Sequence, residues 1–273
     1  MLTRSDTYLT GLIGSGIGTS LSPPLHEREA AELGLRYEYR TLDVDVLGIE
    51  LGELLARARD AGYDGLNVTH PCKTGVLEHL DELDADAAAI GAVNTVVIRD
   101  GHMSGHNTDV VGFEESVRRG LPEAGMRAVV LLGAGGAGSA VAHALRRMGA
   151  EDLVIVDQDQ QRAAALARAV GGRVGGSSEV VGADGLVHAT PTGMEGHPGV
   201  ALAPALLHEG LWVVDVVYRP LETDLLRAAR ARGCRTLGGG GMVVFQAAAS
   251  LELFTGLCPD RERMLGHFAE LTT

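Results

Sequence analysis

The most constraining feature of this chain is a strand, a glycine-rich turn and a helix in direct succession, followed by a strand that ends in an acid. Arg127-Ala128-Val129-Val130-Leu131-Leu132 runs into Gly133-Ala134-Gly135-Gly136-Ala137-Gly138, and then into Ser139-Ala140-Val141-Ala142-His143-Ala144-Leu145. A second apolar run, Leu153-Val154-Ile155-Val156, ends in Asp157, 24 residues after Gly133. Each part has its own task. The first glycine permits a tight turn, Gly135 lets backbone approach a pyrophosphate, and Gly138 lets the helix pack on the strand. Free N–H groups at the helix start attract the anion. A carboxylate at this spacing holds an adenosine ribose. A tight turn in a ligand-free domain would use the same glycines, but it would not need the acid in register. The pattern predicts a dinucleotide site.

Composition limits what surrounds this unit. With 273 residues, 45% of them hydrophobic, the chain can form one large or two modest domains with a substantial core. Aromatics at 4% and 38 glycines favour aliphatic packing and many βα turns. A net charge of −13 argues against nucleic acid as a partner. An anionic substrate would need a locally donor-rich site. The odd, widely spaced Cys72, Cys234 and Cys258 suggest neither a disulfide framework nor a zinc site. The histidines are scattered and lack HExxH spacing, so no metal is expected. Residues 1–7 lack an apolar signal segment, and no apolar run is long enough to span a bilayer. These readings predict a cytoplasmic protein without membrane contact.

Strand and helix patterns alternate along the chain. Tyr8–Gly14, Tyr37–Leu42, Gly65–Val68 and Gly91–Arg99 read as strands, with Asp100-Gly101 as a hairpin turn. Pro24–Leu33, Ile49–Ala61 and Lys73–Leu80 read as helices. Further on, Gln161–Val170 and Asp224–Arg232 read as helices, and Gly185–Ala189 and Trp212–Val216 as buried strands. Gly238–Gly241 reads as a flexible stretch before helices at Met242–Phe254 and Arg261–Leu271. The alternation predicts a mostly parallel α/β fold. Residues 1–112 and 240–273 are expected to form one domain and 113–239 a nucleotide domain. The site is expected in the cleft between them.

Four polar clusters stand apart from the core pattern. Ser20 and Ser22 flank a helix start, where capping explains one serine and a bound carboxylate would explain two. Asn67 and Thr69 alternate on a strand that leads to Lys73. A cation in the first turn of a helix opposes the macrodipole, so Lys73 needs another reason or is a solvated surface lysine. Asn94 reads as an amide within an apolar strand; it must be satisfied, and a polyol would do so. Gly105–Asp109 reads either as an Asx turn or as a carboxylate aimed at Lys73. Tyr218 and Gln246 read equally as core and exposed helix residues or as ligand contacts.

In combination these segments resemble the shikimate dehydrogenase family. The matching stretches are SLSPPLH (20–26), GLNVTHPCK (65–73), GAVNT (91–95), GHNTDVVGF (105–113), LGAGGAG (132–138), ATPTGM (189–194), DVVYRPLET (215–223) and GGGMVVFQA (239–247). The resemblance implies a Rossmann-type, doubly wound parallel domain plus an α/β substrate domain built from both chain ends. It implies reversible oxidation of shikimate to 3-dehydroshikimate, and of quinate to 3-dehydroquinate. It assigns Lys73 and Asp109 to catalysis. Ser20, Ser22 and Tyr218 would hold the substrate carboxylate, and Asn67, Thr69, Asn94 and Gln246 its ring hydroxyls. The coenzyme would meet Gly133, Ala134, Gly135, Gly136, Ala137, Gly138, Asp157 and Arg162. Thr190, Thr192 and Met194 would line its nicotinamide half, and Val216 and Gly239 would also contact the coenzyme.

Biosynthetic members of the family usually place Asn-Arg-Thr after the second Rossmann strand, where arginine binds the NADP 2′-phosphate. Here Val156-Asp157-Gln158-Asp159 puts acids at that place. A carboxylate accepts a free 2′-hydroxyl and repels a phosphate. NAD is therefore expected over NADP, as in the quinate/shikimate dehydrogenases of catabolism. Arg162 complicates this, because it would meet a phosphate or stack on adenine. The alternatives are an NADP-linked enzyme of aromatic amino acid biosynthesis, an aminoshikimate-type paralogue, or a non-catalytic nucleotide sensor. The sensor reading predicts loss of Lys73 or Asp109, and both are present. Monomer and homodimer remain open, as does quinate against shikimate.

Overall fold

The computed structural model describes residues 7–273. The expectation of no leader rests mainly on residues 1–6, which lie outside them. The chain runs through β1 (Thr7–Gly14), α1 (Ser22–Glu32), β2 (Arg36–Asp43), α2 (Val44–Leu47), α3 (Leu51–Asp60) and β3 (Gly65–Val68). A 3-10 turn at Gly75–His79 precedes β4 (Glu82–Leu83), α4 (Ala85–Ile90), β5 (Thr95–Arg99), β6 (His102–His106) and α5 (Thr108–Gly120). Then come β7 (Ala128–Leu132), α6 (Gly136–Arg147), β8 (Asp152–Val156), α7 (Gln160–Val170), β9 (Arg173–Val174) and β10 (Gly185–His188). The chain ends with β11 (Trp212–Asp215), α8 (Asp224–Ala231), β12 (Arg235–Leu237), α9 (Gly240–Thr255) and α10 (Arg261–Leu271). Two compact units result, one joining the chain up to Thr108 with Val244–Thr273, the other Asp109–Val243.

In the first unit the described strands form a sheet in the order β2-β1-β3-β5-β6-β4. β1 pairs in parallel with β2 and β3, whereas β5 runs antiparallel to both β3 and β6. The β5–β6 hairpin turns on Asp100 and Gly101, at φ 51° and 82°. Two positive-φ residues give the mirror-image turn that matches strand twist. Ile13, Leu55, Leu66, Val76 and Val96 are fully buried within one aliphatic cluster of this unit. The last helix is fastened by charge. Glu29 of α1 is fully buried, and its carboxylate accepts from Arg263 Nε at 2.9 Å, Arg263 Nη2 at 2.7 Å and the Asp260 amide at 2.7 Å. A buried carboxylate without such donors would be strongly destabilising. His26 of α1 is also fully buried, its ring centroid 5.0 Å from Tyr39 and 6.2 Å from Phe254. Burial pushes its pKa down to about 3.

The second unit is a sheet in the order β12-β11-β10-β7-β8-β9, with every neighbouring pair parallel. Its inner strands β7, β8, β10 and β11 are largely buried apolar runs, as in a parallel sheet covered on both faces. Val130, Leu186, Leu211, Val213 and Leu226 share its core. The strand order reverses between β7 and β10. Ligands of such sheets bind outside the carboxyl ends of the strands at that reversal. Among the described residues, no helix is long and apolar enough to cross a membrane.

Four local expectations need correction. Lys73 does not open an α-helix; it lies in a turn before the 3-10 segment. Its carbonyl accepts from the Val93 amide at 2.9 Å, and Leu77 N bonds Thr74 at 3.3 Å instead. With Gly75 inside so short a segment, an α-helix has little to sustain it, and the macrodipole objection to Lys73 falls away. Gly91–Arg99 is not one strand. Gly91, at φ 68°, closes α4, which Asp84 caps through the Ala87 amide at 2.6 Å, and Asn94 precedes β5. Gly105–Asp109 is not a free turn, since β6 runs to His106 and α5 starts at Thr108. Gly240 and Gly241 lie inside α9 rather than in a flexible stretch.

Candidate active site

The glycine turn of the second unit can be read residue by residue. Gly133 has φ 104°, and a Cβ there would lie 2.5 Å from the Ala189 carbonyl oxygen. A Cβ on Gly138 would lie 2.0 Å from the Gly133 carbonyl oxygen. Both positions exclude side chains for reasons internal to the protein. Gly135 differs: a Cβ there meets nothing within 4 Å. That open space is where a pyrophosphate approaching the backbone would pass. Gly136 and Ala137 begin α6, whose N-terminus has no side-chain cap. Uncapped N–H groups at a helix start suit an anion. These residues fit a dinucleotide.

Asp157, just past β8, completes the turn. Oδ2 accepts from the Ala134 amide at 2.7 Å, and Oδ1 from the Asp159 amide and Arg162 Nη2, both at 2.8 Å. Burial by itself would raise the carboxyl pKa. The Arg162 guanidinium and the two amides outweigh it and hold the group below the usual carboxylate range. Asp159 has a different job, capping α7 through the amides of Gln161 and Arg162 at 3.0 Å each. Only one of the two acids therefore bonds the glycine turn.

At the sheet reversal, Thr190 and Thr192 follow β10. Thr190 Cγ2 comes within 2.9 Å of where a Gly133 Cβ would stand. Met194 is exposed in the same loop. Val216 follows β11 and bonds the His188 carbonyl at 3.0 Å; a Cβ on Gly239 would lie 2.3 Å from the Val216 carbonyl oxygen. These residues gather at the carboxyl ends of β7, β10 and β11. Tyr218 is half-buried in the loop beyond.

In the first unit the predicted residues collect at the carboxyl ends of β1 and β3. The two loops are tied together by Thr69 N to the Ile13 carbonyl at 2.8 Å and Ser15 N to the His70 carbonyl at 3.0 Å. Ser20 Oγ accepts from the Ser22 amide at 3.2 Å, while α1 itself has no side-chain cap. The capping explanation therefore accounts for neither serine fully. Thr69 lies one residue beyond β3, half-buried as Lys73 is.

Asn67 and Asn94 sit in a buried polar network that the sequence did not reveal. The Tyr39 hydroxyl donates to Asn67 Oδ1 at 2.9 Å, and Asn67 Nδ2 to Thr95 Oγ1 at 3.2 Å. Asn94 Oδ1 accepts from the Thr108 amide at 2.8 Å, and Asn94 Nδ2 donates to Thr108 Oγ1 at 2.9 Å. The protein itself thus satisfies the Asn94 amide, which the sequence left to a polyol. Burial raises the Tyr39 phenol well above its ordinary value, the neighbouring Tyr37 adds to this, and a hydrogen bond with Ser22 opposes it. Tyr39 stays a donor and links Ser22 to Asn67. Its only sequence signal was the alternation of Tyr37 and Tyr39. Asp109 is buried in the first turn of α5, one residue after the network ends at Thr108, and Gln246 is half-buried on α9.

Comparison with known proteins agrees with the α/β fold. Residues 12–96 match the family described as shikimate dehydrogenase substrate binding domain. Residues 129–249 match the saccharopine dehydrogenase NADP binding domain. A shikimate dehydrogenase (NADP(+)) from Streptomyces avermitilis is 59% identical, over 97% of this chain and 96% of its own. A quinate/shikimate dehydrogenase (NAD(+)) from Corynebacterium efficiens is 48% identical, over 97% and 99%. The structure of quinate dehydrogenase from Corynebacterium glutamicum in complex with NAD superimposes with a TM-score of 0.92 at 46% identity, over 97% of this chain and 99% of that one.

Proposed function

Since the chain belongs to the shikimate dehydrogenase family, we propose that it reversibly oxidises the C3 hydroxyl of shikimate, and of quinate, with NAD as the preferred coenzyme. The observation that carries the coenzyme assignment is the Asp157 carboxylate, fixed against the glycine turn at 2.7 Å from the Ala134 amide. A carboxylate there accepts a ribose 2′-hydroxyl and opposes a 2′-phosphate. When bound, the nicotinamide ring supplies the two-electron acceptor.

The remaining work falls to side chains. Lys73 takes the proton from the C3 hydroxyl during oxidation and returns it to the carbonyl oxygen during reduction. Asp109 orients Lys73. Ser20, Ser22 and Tyr218 bind the substrate carboxylate, supplying the donors that a chain of charge −13 must concentrate locally. Asn67, Thr69, Asn94 and Gln246 bind the ring hydroxyls. The Tyr39 bond and the Asn94–Thr108 bonds support this by fixing which way two of these amides point. Thr190, Thr192 and Met194 line the nicotinamide half, and Val216 and Gly239 contact the coenzyme.

One observation favours an NADP-linked biosynthetic enzyme instead. Arg162, 2.8 Å from Asp157, is half-exposed and is a natural phosphate ligand. Steady-state assays crossing shikimate and quinate with NAD and NADP separate the two. The proposal expects higher kcat/KM with NAD for both acids. A preference for NADP at equal concentrations refutes the coenzyme assignment, and no turnover of either acid refutes the activity.

A further inference from the structure

The second unit buries an ionisable pair that the proton transfer above does not use. His188, at the end of β10, and Asp215, at the end of β11, are both fully buried, with Nδ1 2.9 Å from Oδ1. Asp215 Oδ1 also accepts from the Val217 amide at 3.0 Å, and Oδ2 from Thr223 Oγ1 at 2.7 Å. Thr223 in turn caps α8 by accepting from the Leu226 amide at 3.2 Å. On the other side of the ring, Nε2 lies 2.5 Å from Thr190 Oγ1. Thr190 Oγ1 accepts from the Thr192 amide at 3.3 Å and donates to Thr192 Oγ1 at 3.2 Å. A hydrogen-bonded chain therefore runs from the start of α8, through the sheet interior, to two hydroxyls at the strand-order reversal.

Apolar residues of similar volume would fill that interior without the cost of desolvating polar groups. A pair kept for packing alone has no reason to end on hydroxyls beside Gly133. An ionised carboxylate only accepts, so Asp215 sets which face of the imidazole turns toward Thr190. Rotating the ring would break both of its bonds.

We propose that His188 and Asp215 are positioning residues for the coenzyme. Asp215 orients His188, and His188 fixes the Thr190 hydroxyl, and through it Thr192, against the nicotinamide half. This rests on the reading of Thr190 and Thr192 given above. The pair does not touch the reacting atoms.

The test uses His188→Asn, Thr190→Val and the double variant. Asparagine places its amide nitrogen near the position of Nδ1, so it keeps the donor to Asp215 but does not reach Thr190. This avoids the stranded carboxylate that an apolar replacement would leave. Dissociation constants for reduced coenzyme are measured by fluorescence titration, beside shikimate KM and melting temperature. Each single variant should weaken coenzyme binding about fivefold, the effect of one lost hydrogen bond. Shikimate KM should stay within twofold, and the double variant should bind no worse than Thr190→Val alone. A folded His188→Asn protein with coenzyme affinity within twofold of the parent overturns the proposal. So do single effects that multiply in the double variant. Should His188→Asn not fold, unchanged coenzyme affinity in Thr190→Val overturns it equally. Because binding is read directly, a parent protein that turns over neither acid refutes the assigned activity and leaves this inference to its own result.

Discussion

Replacing Asp157 with alanine should shift the coenzyme preference toward NADP, and the geometry sets the size of the effect. The carboxylate already spends one lone pair on the Ala134 amide and others on the Asp159 amide and Arg162, all within 2.8 Å. In the proposed reading, what remains would accept from the ribose diol. Losing a hydrogen bond to a charged acceptor costs about 1.5–3 kcal/mol, so kcat/KM for NAD should fall about 10- to 150-fold. For NADP the sign reverses. Two unit charges 4 Å apart repel by about 4 kcal/mol at an effective dielectric near 20. Arg162 cancels a large part of this in the parent protein, leaving about 1–2 kcal/mol to be relieved. The substitution also frees Arg162 for the phosphate. The NAD-to-NADP ratio of kcat/KM should therefore shift by about a hundredfold or more. The assay holds shikimate saturating at fixed ionic strength, because exposed charges are screened. Melting curves guard against simple unfolding, since two backbone amides lose their acceptor. A ratio within threefold of the parent value would mean that Asp157 serves only to brace the turn.

Other consequences are equally direct. Lys73→Ala should lower kcat by about 10²–10⁴-fold while shikimate still binds; near-native kcat in a protein that binds normally excludes Lys73 as the proton-transfer group. Gly135→Ala should leave the melting temperature unchanged yet weaken coenzyme binding, because its methyl meets only open space in the protein; Gly138→Ala should lower the melting temperature, because its methyl would lie 2.0 Å from a carbonyl oxygen. Equal thermal effects from the two would contradict this. His26 gives an acid sensitivity of definite sign. Its folded pKa of about 3 lies below the unfolded value of 6.5, so its contribution is complete above pH 6.5 and drains away as pH falls toward 3. At pH 4.5 the loss is about 2–3 kcal/mol. Thermal melts of the parent and of His26→Phe should diverge below pH 6.5, and parallel curves would refute it.

What the sequence disclosed was what lies close along the chain. The turn from Gly133 to Gly138 needs only local sterics, and Asp157 follows from the length of one βα crossover. Strand Gly65–Val68 and helix Arg261–Leu271 were readable from runs of side chains alone. Structure that depends on distant segments was not readable. Lys73 belongs to a turn because Val93, far along the chain, claims its carbonyl. Asn94 is held by Thr108, 14 residues further on, and periodicity cannot announce that. His188 and Asp215 each look like a polar residue closing an apolar strand. Only the parallel register of β10 and β11, which sets them opposite each other, makes them a pair.

The contact between Glu29 and Arg263 has a consequence for synthesis. The unit Asp109–Val243 is one unbroken stretch of chain and is fully made before its neighbour can be finished. Domains fold as units while translation proceeds. The unit translated first is therefore completed last, and the carboxylate of Glu29 waits, hydrated, until α10 leaves the ribosome with the guanidinium that lets it be sealed from water.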